Sequence, residues 1–393
     1  MNNISPNVSI CNPCTIKKFI FYFLYLGTCC FGGPLALVSY MQRDLVEKYK
    51  WISKEDYIDG LALAQMAPGP LATQLAIYLG YIKYGLTGAT LVPIALIVPS
   101  FLLVLGISYL YVHFGGLSFV QALFYGIGAA VVGIIIKAAY KLIGLTLEKD
   151  ICLWIIFFVL AISTFVTQKE IAILFFLSGI AYMMIKTNLT KSTINLSIIP
   201  GLPLLALNIS GIIQNIFQTT LLKIFLFFCK SGLVIFGSGL AIVPFLYGGV
   251  VKDYHWLNDK QFMDAVAIAM ITPGPVVITV AFIGYLVKGL PGATLATLGV
   301  FLPVYLFVII PSPFFKKYAK NPYLNSFIKG ITAGAIGALA GACVLLTKQA
   351  ITDTPTLIIA ISSLFLLFKF KNIPEPLIVL ISGIVGLLCF KQG

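Results

Sequence analysis

Charged side chains are scarce in this sequence. Only 10% of the 393 residues are Asp, Glu, Lys or Arg, whereas 60% are hydrophobic. An ordinary soluble domain has about 25% charged residues. A soluble chain of this length could not cover its surface with so few charges, which excludes a soluble enzyme, a nucleic-acid-binding protein and a disordered protein. The apolar residues form repeated long runs, so the composition predicts an all-α polytopic membrane protein.

Motifs for catalysis and metal binding are missing too. The two histidines, His113 and His255, fall in predicted loops, and no HExxH, nucleophile elbow or Walker A pattern occurs. The eight cysteines are scattered, so they predict no disulfide framework, and Cys11 and Cys14 form a lone CxxC. We therefore expect neither an enzyme nor a cofactor or metal site.

The net charge of +13 would suggest a nucleic-acid partner in a soluble protein. In a chain of apolar segments it is better explained by lysines in the connecting loops, where they set the orientation of the spans. The expected partner is the lipid bilayer, with no nucleic acid.

The apolar segments form two similar sets, which indicates an internal duplication. Trp51 corresponds to Trp256, Asp59 to Asp264, and Pro68-Gly69-Pro70 to Pro273-Gly274-Pro275. Biased composition alone would not align such different features in one register. We place the first repeat at 15–190, a more polar linker at 191–220 and the second repeat at 221–393.

The distribution of lysine and arginine predicts how the two repeats are oriented. If every apolar segment crosses, the basic residues divide evenly between the two sides. If the PGP-containing segment of each half re-enters without crossing, about two thirds of them fall on one side. This favours an inverted repeat with about ten spans and with broken or re-entrant helices at the PGP sites.

The PGP tripeptides are the strongest candidates for a binding site. Each proline removes a backbone N–H and disfavours a continuous helix, so a new helix is predicted to begin at Pro70 and at Pro275. A helix that begins inside the membrane presents free N–H groups to an anion. A simple proline kink is the alternative, but two breaks in register favour the site. The N–H donors would come from Leu71, Ala72 and Thr73 in the first half, and from Val276, Val277 and Ile278 in the second.

Two further features have both a binding and a structural interpretation. Phe31-Gly32-Gly33-Pro34 breaks the first segment, and its glycines either allow close helix packing or line the site. Lys230 lies inside an apolar segment, where it is either a countercharge for an anion or a lysine that extends to the membrane surface. Both interpretations remain open for each feature.

The carboxylates lie in loops or at segment ends. Asp59 and Asp264, each before a PGP, are candidates for proton coupling, or are first-turn acids that complement the helix dipole behind the caps Ser53 and Asn258. Arg43 either attracts an oxyanion at the entrance or lies at a charged surface.

Taken together, FGGPLALVSYMQRDLV (31–46), WISKEDYIDGLALAQMAPGP (51–70) and the corresponding stretches 236–246 and 256–294 resemble the chromate ion transporter family in its long, two-domain form. The resemblance implies oxyanion transport across a bacterial inner membrane, with chromate efflux driven by the proton motive force. It points to the FGGP and PGP residues, although Ser238 replaces the second glycine in the later half. Another anion, such as sulfate or an organic acid, and a membrane scaffold without a substrate are the alternatives. The small-residue run 330–341 permits tight helix contact within one chain or in a homodimer.

Overall fold

Helices account for the regular structure of the chain. The computed structural model describes residues 12–30, 33–147, 150–167, 172–187, 219–235, 239, 242–315, 321–370 and 373–390, and no strand occurs in these ranges. The predicted all-α class is therefore confirmed for the described residues.

The first half contains seven α-helices in its described part. They are α1 (Ile16–Cys29), α2 (Gly33–Met41), which continues as a π-helix (Gln42–Lys48), α3 (Lys54–Met66), α4 (Leu71–Phe114), α5 (Ser118–Thr146), α6 (Ile151–Thr167) and α7 (Ala172–Lys186).

The second half repeats this order. It contains α8 (Thr220–Val234), α9 (Ile242–Leu246) followed by a π-helix (Tyr247–Asp253), α10 (Asp259–Ile271), a 3₁₀ turn (Val276–Ile278), α11 (Thr279–Ile309), α12 (Pro322–Ala350), α13 (Thr354–Lys369) and α14 (Glu375–Cys389).

The chain reverses direction within α4 and within α11. Tyr84 and Gly85 leave the helical conformation, and Gly85 has φ +61°. A Cβ on Gly80 would lie 2.5 Å from the Gly88 carbonyl oxygen, although eight residues of straight helix would separate these positions by about 12 Å. Lys288 and Gly289 form the same reversal in α11. Each helix is therefore a hairpin with a short first arm and a longer second arm.

The PGP tripeptides form a second kind of reversal. A Cβ on Gly60 of α3 would meet Leu75 and Tyr78 in the first arm of α4, so α3 and that arm run antiparallel on either side of Pro68-Gly69-Pro70. The first segment folds back in a similar way, since Tyr22 of α1 donates to the carbonyl oxygen of Tyr40 in α2 at 3.2 Å. Residues 31 and 32 between these two helices lie outside the described ranges.

The helices between these reversals differ in length, and length limits which of them can cross a bilayer. By length and composition, four helical stretches among the described residues are able to span it, and four more apolar helices are shorter. The four long stretches are Leu71–Phe114, Ser118–Thr146, Val276–Ile309 and Pro322–Ala350. The chain is thus a multi-pass membrane protein that has shorter apolar helices and helical hairpins beside these four stretches.

The second arms of α4 and α11 pack against each other in opposite directions. The Thr90 hydroxyl, early in the arm of α4, lies 2.6 Å from the Tyr305 hydroxyl near the end of α11. Both arms line one cavity, from Thr90 to Phe101 and from Thr294 to Tyr305. Equivalent helices that run antiparallel are related by an axis perpendicular to them, as in an inverted repeat.

The two halves exchange their last helices. The α6–α7 hairpin, which is closed by Lys186 and Tyr182 on the Asp150 carboxylate at 2.7 and 2.9 Å, packs on α12 of the second half. The hydrogen bond from Lys186 lowers the pKa of the Asp150 carboxyl. In return, α13 and α14 pack on α5 of the first half. The repeats are therefore not separate packing units, and the boundaries proposed for them remain a prediction.

Glycines allow these exchanged helices to approach closely. Gly330, Gly337 and Gly341 of α12 face the backbones of α6 and α7. The small-residue run 330–341 is thus used within the chain, and this packing lends no support to the predicted homodimer, which stays a prediction. Gly126 of α5 faces Ser382 and Gly386 of α14 in the same manner.

We expect Gly126→Ala to destabilise the fold. The added methyl group would overlap the Ser382 carbonyl oxygen and lie 2.9 Å from the Gly386 Cα atom, and overpacking of this kind costs about 1–3 kcal/mol. Gly128→Ala is the matched control, because no heavy atom lies within 4 Å of a Cβ there. Thermal unfolding of both variants in detergent measures the difference, and equal melting temperatures would contradict the packing.

Candidate functional site at the broken helices

Both PGP tripeptides interrupt their helices, as predicted. In the first half α3 ends at Met66, Ala67 is extended, and α4 begins after Pro70, which has φ −70° and ψ 116°. In the second half α10 ends at Ile271, and the 3₁₀ turn begins after Pro275 with φ −75° and ψ 125°. Each proline thus precedes a new helix and contributes no N–H of its own.

The central glycine of each tripeptide makes the turn possible. Gly69 has φ +144° and Gly274 has φ +92°, values that residues with a side chain rarely adopt. Both glycines and both following prolines are buried, whereas Pro68 is half-buried. The turns therefore lie inside the protein.

Each turn is held by the first helix of the other half. The Gly69 N–H donates to the Ile235 carbonyl oxygen at 2.6 Å, and the Gly274 N–H donates to the Cys30 carbonyl oxygen at 3.2 Å. Cys30 and Ile235 occupy equivalent positions in the two repeats, directly after α1 and α8. This reciprocal pair places both breaks at the interface between the halves.

The first turn of α4 carries two buried polar side chains. Thr73 and Gln74 are fully buried, and the Gln74 Nε2 atom donates to the Pro68 carbonyl oxygen across the break at 2.7 Å. Among the described residues, the Thr73 hydroxyl and the Gln74 Oε1 atom have no hydrogen-bond partner. The N–H groups of Leu71, Ala72 and Thr73 also precede the first intrahelical bond, which runs from the Gln74 N–H to the Pro70 carbonyl oxygen.

The second half differs at this point from the prediction. The Ile278 N–H donates to the Pro275 carbonyl oxygen at 3.0 Å, because the chain forms a tighter 3₁₀ turn there, and it is therefore not a free donor. Only the N–H groups of Val276 and Val277 come before the first such bond. The Thr279 hydroxyl, for its part, donates to the Val276 carbonyl oxygen at 2.8 Å.

A cavity of about 410 Å³ lies between the second arms of α4 and α11. Its walls are mostly apolar, and Thr73 is one of the lining residues. The cavity's other threonines, Thr90, Thr294 and Thr297, each donate to a carbonyl oxygen of their own helix. Thr73 thus brings to the cavity a hydroxyl that no described residue pairs.

The two candidate aspartates have different surroundings. Asp264 is 4% exposed, and the Tyr111 hydroxyl of α4 donates to its Oδ2 atom at 2.7 Å. Tyr111 also lines a second cavity of about 380 Å³, together with Trp256 and Gln261. Asp59 is half-buried.

The predicted helix caps are present behind both aspartates. Ser53 accepts a hydrogen bond from the Asp56 N–H, and Asn258 forms a capping box with Gln261. Asp59 and Asp264 both lie beyond the first turn of their helices, so the dipole of the first turn does not account for them.

The remaining predicted residues lie away from the PGP turns or outside the described ranges. Lys230 is on an exposed face of α8 and not buried between the halves. Gly32 is outside the described residues, and Gly33 begins α2. Arg43 is exposed and forms an ion pair with Asp44 at 2.8 Å.

Sequence reasoning missed three residues of interest. The sequence marks Gln74 only as a polar residue that follows the turn, and it does not mark Tyr111 at all, because the contact of Tyr111 with Asp264 joins distant segments of the chain. Asp44 is buried on a π-helix, where Tyr22 donates to its carboxylate at 3.3 Å. A π-helix has no recognisable sequence pattern, so the burial of Asp44 was not predictable.

Comparison with known proteins gives a consistent result. The model of the family described as chromate transporter matches residues 17–184 and 222–387, once in each half. The chain is 52% identical to the chromate transport protein of Cupriavidus metallidurans over 96% of this chain and 94% of the relative. It is 49% identical to a probable chromate transport protein of Synechococcus elongatus over 96% of each chain. No solved structure matches. With the family model present in both halves and the relatives aligned along nearly their full length, the chain belongs to the chromate transporter family.

Proposed function

We propose that this protein is a secondary transporter that moves chromate, a tetrahedral dianion, out of a bacterial cell across the inner membrane, driven by the proton motive force. Membership of the chromate transporter family supports the anion substrate. The observation that carries the proposal is the pair of reciprocal hydrogen bonds from Gly69 and Gly274. They join two broken helices to opposite halves, which is the arrangement that a carrier with alternating access uses.

The proposed substrate site combines free N–H groups with enclosure by protein. A helix N-terminus carries about half a positive charge, and its free N–H groups point toward an anion. Exclusion of water strengthens this attraction, because the local dielectric is low. Lys230, which is exposed on α8, would meet the anion only on its way to the site. The proposed set comprises Gly33, Pro68, Gly69, Pro70, Leu71, Ala72, Thr73, Lys230, Pro273, Gly274, Pro275, Val276 and Val277.

The proposed transport cycle exchanges access between the two sides of the membrane. One half rocks against the other, and the hydrogen bonds from the PGP glycines to Cys30 and Ile235 lie on the surfaces that would slide. Asp264 and Asp59 are the proposed proton-coupling residues. Asp264 is the better candidate of the two, since it is buried, accepts a hydrogen bond from Tyr111 of the other half and lies close to a cavity. The proposal involves no catalytic step and no cofactor.

Flux measurements in liposomes test this function. Purified protein is reconstituted, a pH gradient is imposed, and uptake of radiolabelled chromate is followed in parallel with sulfate and an organic acid. We expect gradient-dependent chromate uptake that an uncoupler abolishes. Uptake of sulfate or the organic acid alone would identify a carrier of another anion. No flux of any anion from correctly folded protein would indicate a scaffold and overturn the proposal.

We expect Pro70→Ala to lower chromate flux by about tenfold, equivalent to about 1.4 kcal/mol. Alanine restores an N–H and favours a helix that runs on through the turn, which would withdraw the free donors of α4. Pro322→Ala, at the exposed start of α12 and away from the cavity, is the matched control. Size-exclusion chromatography in detergent checks that both variants are folded and not aggregated. Wild-type flux in a correctly inserted Pro70→Ala protein would contradict the site.

A further inference from the structure

The two PGP turns are equivalent in sequence position but different in chemistry. After the first turn come three N–H groups that precede the first intrahelical hydrogen bond, and two fully buried polar side chains, Thr73 and Gln74. After the second turn, two N–H groups come before the first 3₁₀ hydrogen bond, and the buried side chains are those of Val276, Val277 and Ile278. The polar residue that follows, Thr279, is already bonded to its own helix.

The Thr73 hydroxyl requires a partner that the described residues do not supply. A buried hydroxyl without a hydrogen bond costs about 1–3 kcal/mol. Thr73 is fully buried and borders the cavity between α4 and α11, where the other threonine hydroxyls are all bonded. An acceptor that enters the cavity at the first turn would remove this cost, and the oxygen atoms of an oxyanion are such acceptors.

The orientation of Gln74 is fixed by its contact across the break. The Pro68 carbonyl oxygen can only accept, so the Gln74 Nε2 atom must face it and the Oε1 atom must point elsewhere. The carboxamide also lies over the turn, because a Cβ on Gly69 would be 2.7 Å from Nε2. Gln74 therefore ties the end of α3 to the start of α4 and sets the shape of the turn.

We propose, building on the proposed function and narrowing its substrate-binding set to the first half, that the oxyanion binds at the first PGP turn alone. The Thr73 hydroxyl and the N–H groups of Leu71, Ala72 and Thr73 donate to its oxygen atoms. Gln74 is a positioning residue, and its Oε1 atom accepts from a water molecule that bridges it to the anion. The second turn, closed by Val276, Val277 and Ile278, serves as the structural counterpart that holds Cys30.

Equilibrium binding of radiolabelled chromate to the purified protein in detergent tests the one-sided site. Thr73→Val is nearly isosteric and should weaken binding by about tenfold or more, because a hydrogen bond to a charged group contributes about 1.5–3 kcal/mol. Its melting temperature without chromate should not fall, since the hydroxyl has no partner to lose. Thr73→Ser should restore binding, and Thr279→Val is the matched control in the second half, with unchanged binding expected.

The proposed role of Gln74 needs a test whose result could not come from a loss of structure alone. Gln74→Met and Gln74→Glu both remove the hydrogen bond to the Pro68 carbonyl oxygen, because neither a thioether nor a carboxylate can donate, but only Gln74→Glu places a negative charge next to the anion. We expect Gln74→Glu to bind chromate far more weakly than Gln74→Met. Equal affinities of the two variants would show that Gln74 does not lie beside the anion.

The outcomes separate this inference from the proposed function. Wild-type affinity in Thr73→Val, or an equal loss in Thr279→Val, overturns the one-sided site while chromate binding by the wild-type protein still stands. Absence of chromate binding and flux in the wild-type protein overturns the proposed function itself, and the inference with it.

Discussion

Asp264→Asn should reduce gradient-driven chromate uptake to the level of empty liposomes. Asparagine keeps the size of the side chain but neither releases nor accepts a proton. The carboxylate it replaces is buried and bonded to Tyr111 at 2.7 Å, beside a cavity of about 380 Å³. An ionisable group in such surroundings is costly to maintain, which favours a functional role.

Chromate exchange provides the internal control for Asp264→Asn. Exchange of labelled for unlabelled chromate at equal concentrations requires the anion site and the conformational change but no net proton movement. We expect this exchange to persist in Asp264→Asn if the variant is folded. Asp59→Asn should retain more gradient-driven uptake than Asp264→Asn, because Asp59 is half-buried whereas Asp264 is 4% exposed. Normal gradient-driven uptake in Asp264→Asn would disprove its part in coupling.

Gly69→Ala is the second change for which we expect a large effect. Gly69 has φ +144°, and an added Cβ would lie 2.7 Å from the Gln74 Nε2 atom and 2.9 Å from the Val304 Cγ1 atom. A backbone conformation of this kind costs about 1–3 kcal/mol in a residue with a side chain, and overpacking adds about 1–3 kcal/mol. The turn would have to open, which would break the hydrogen bond to Ile235 and the bond between Gln74 and Pro68.

We expect chromate flux to fall by at least about tenfold in Gly69→Ala, since a 1.4 kcal/mol loss already corresponds to that factor. Gly106→Ala, in the same helix, is the matched control, because nothing lies within 4 Å of a Cβ there. Gly274→Ala should impair the fold as well, since its Cβ would overlap the Ser100 hydroxyl. Flux equal to that of Gly106→Ala would contradict the tight first turn.

The breaks could be predicted from sequence because proline and glycine act locally. Proline removes an N–H wherever it stands, and a PGP tripeptide therefore interrupts a helix whatever packs around it. The internal duplication could be predicted as well, because detecting it requires only a comparison of the sequence with itself. The caps at Ser53 and Asn258 depend on neighbouring residues alone and were also predictable.

The features that were not predictable depend on contacts between distant residues. Glycine in a helix permits close packing but does not name its partner, so the placement of α6 and α7 on α12 could not be read from the run 330–341. The burial of Asp264 and its hydrogen bond from Tyr111 join distant parts of the chain, and the sequence around Asp264 does not reveal them. The exposure of Lys230 depends on which face of α8 is covered by α11. The position of Lys230 within an apolar segment does not reveal which face that is.

The exchange of terminal hairpins has a consequence for biosynthesis. When the ribosome has finished residues up to 187, α5 still lacks α13 and α14, and its glycine face is without the neighbours that complete it. The first half is therefore inserted in the bilayer before its packing is complete, and α5 gains its last neighbours only when α13 and α14 have been synthesised. Two fragments cut in the linker and produced together would each supply what the other lacks, whereas either fragment alone would remain incomplete and become a substrate for membrane proteases.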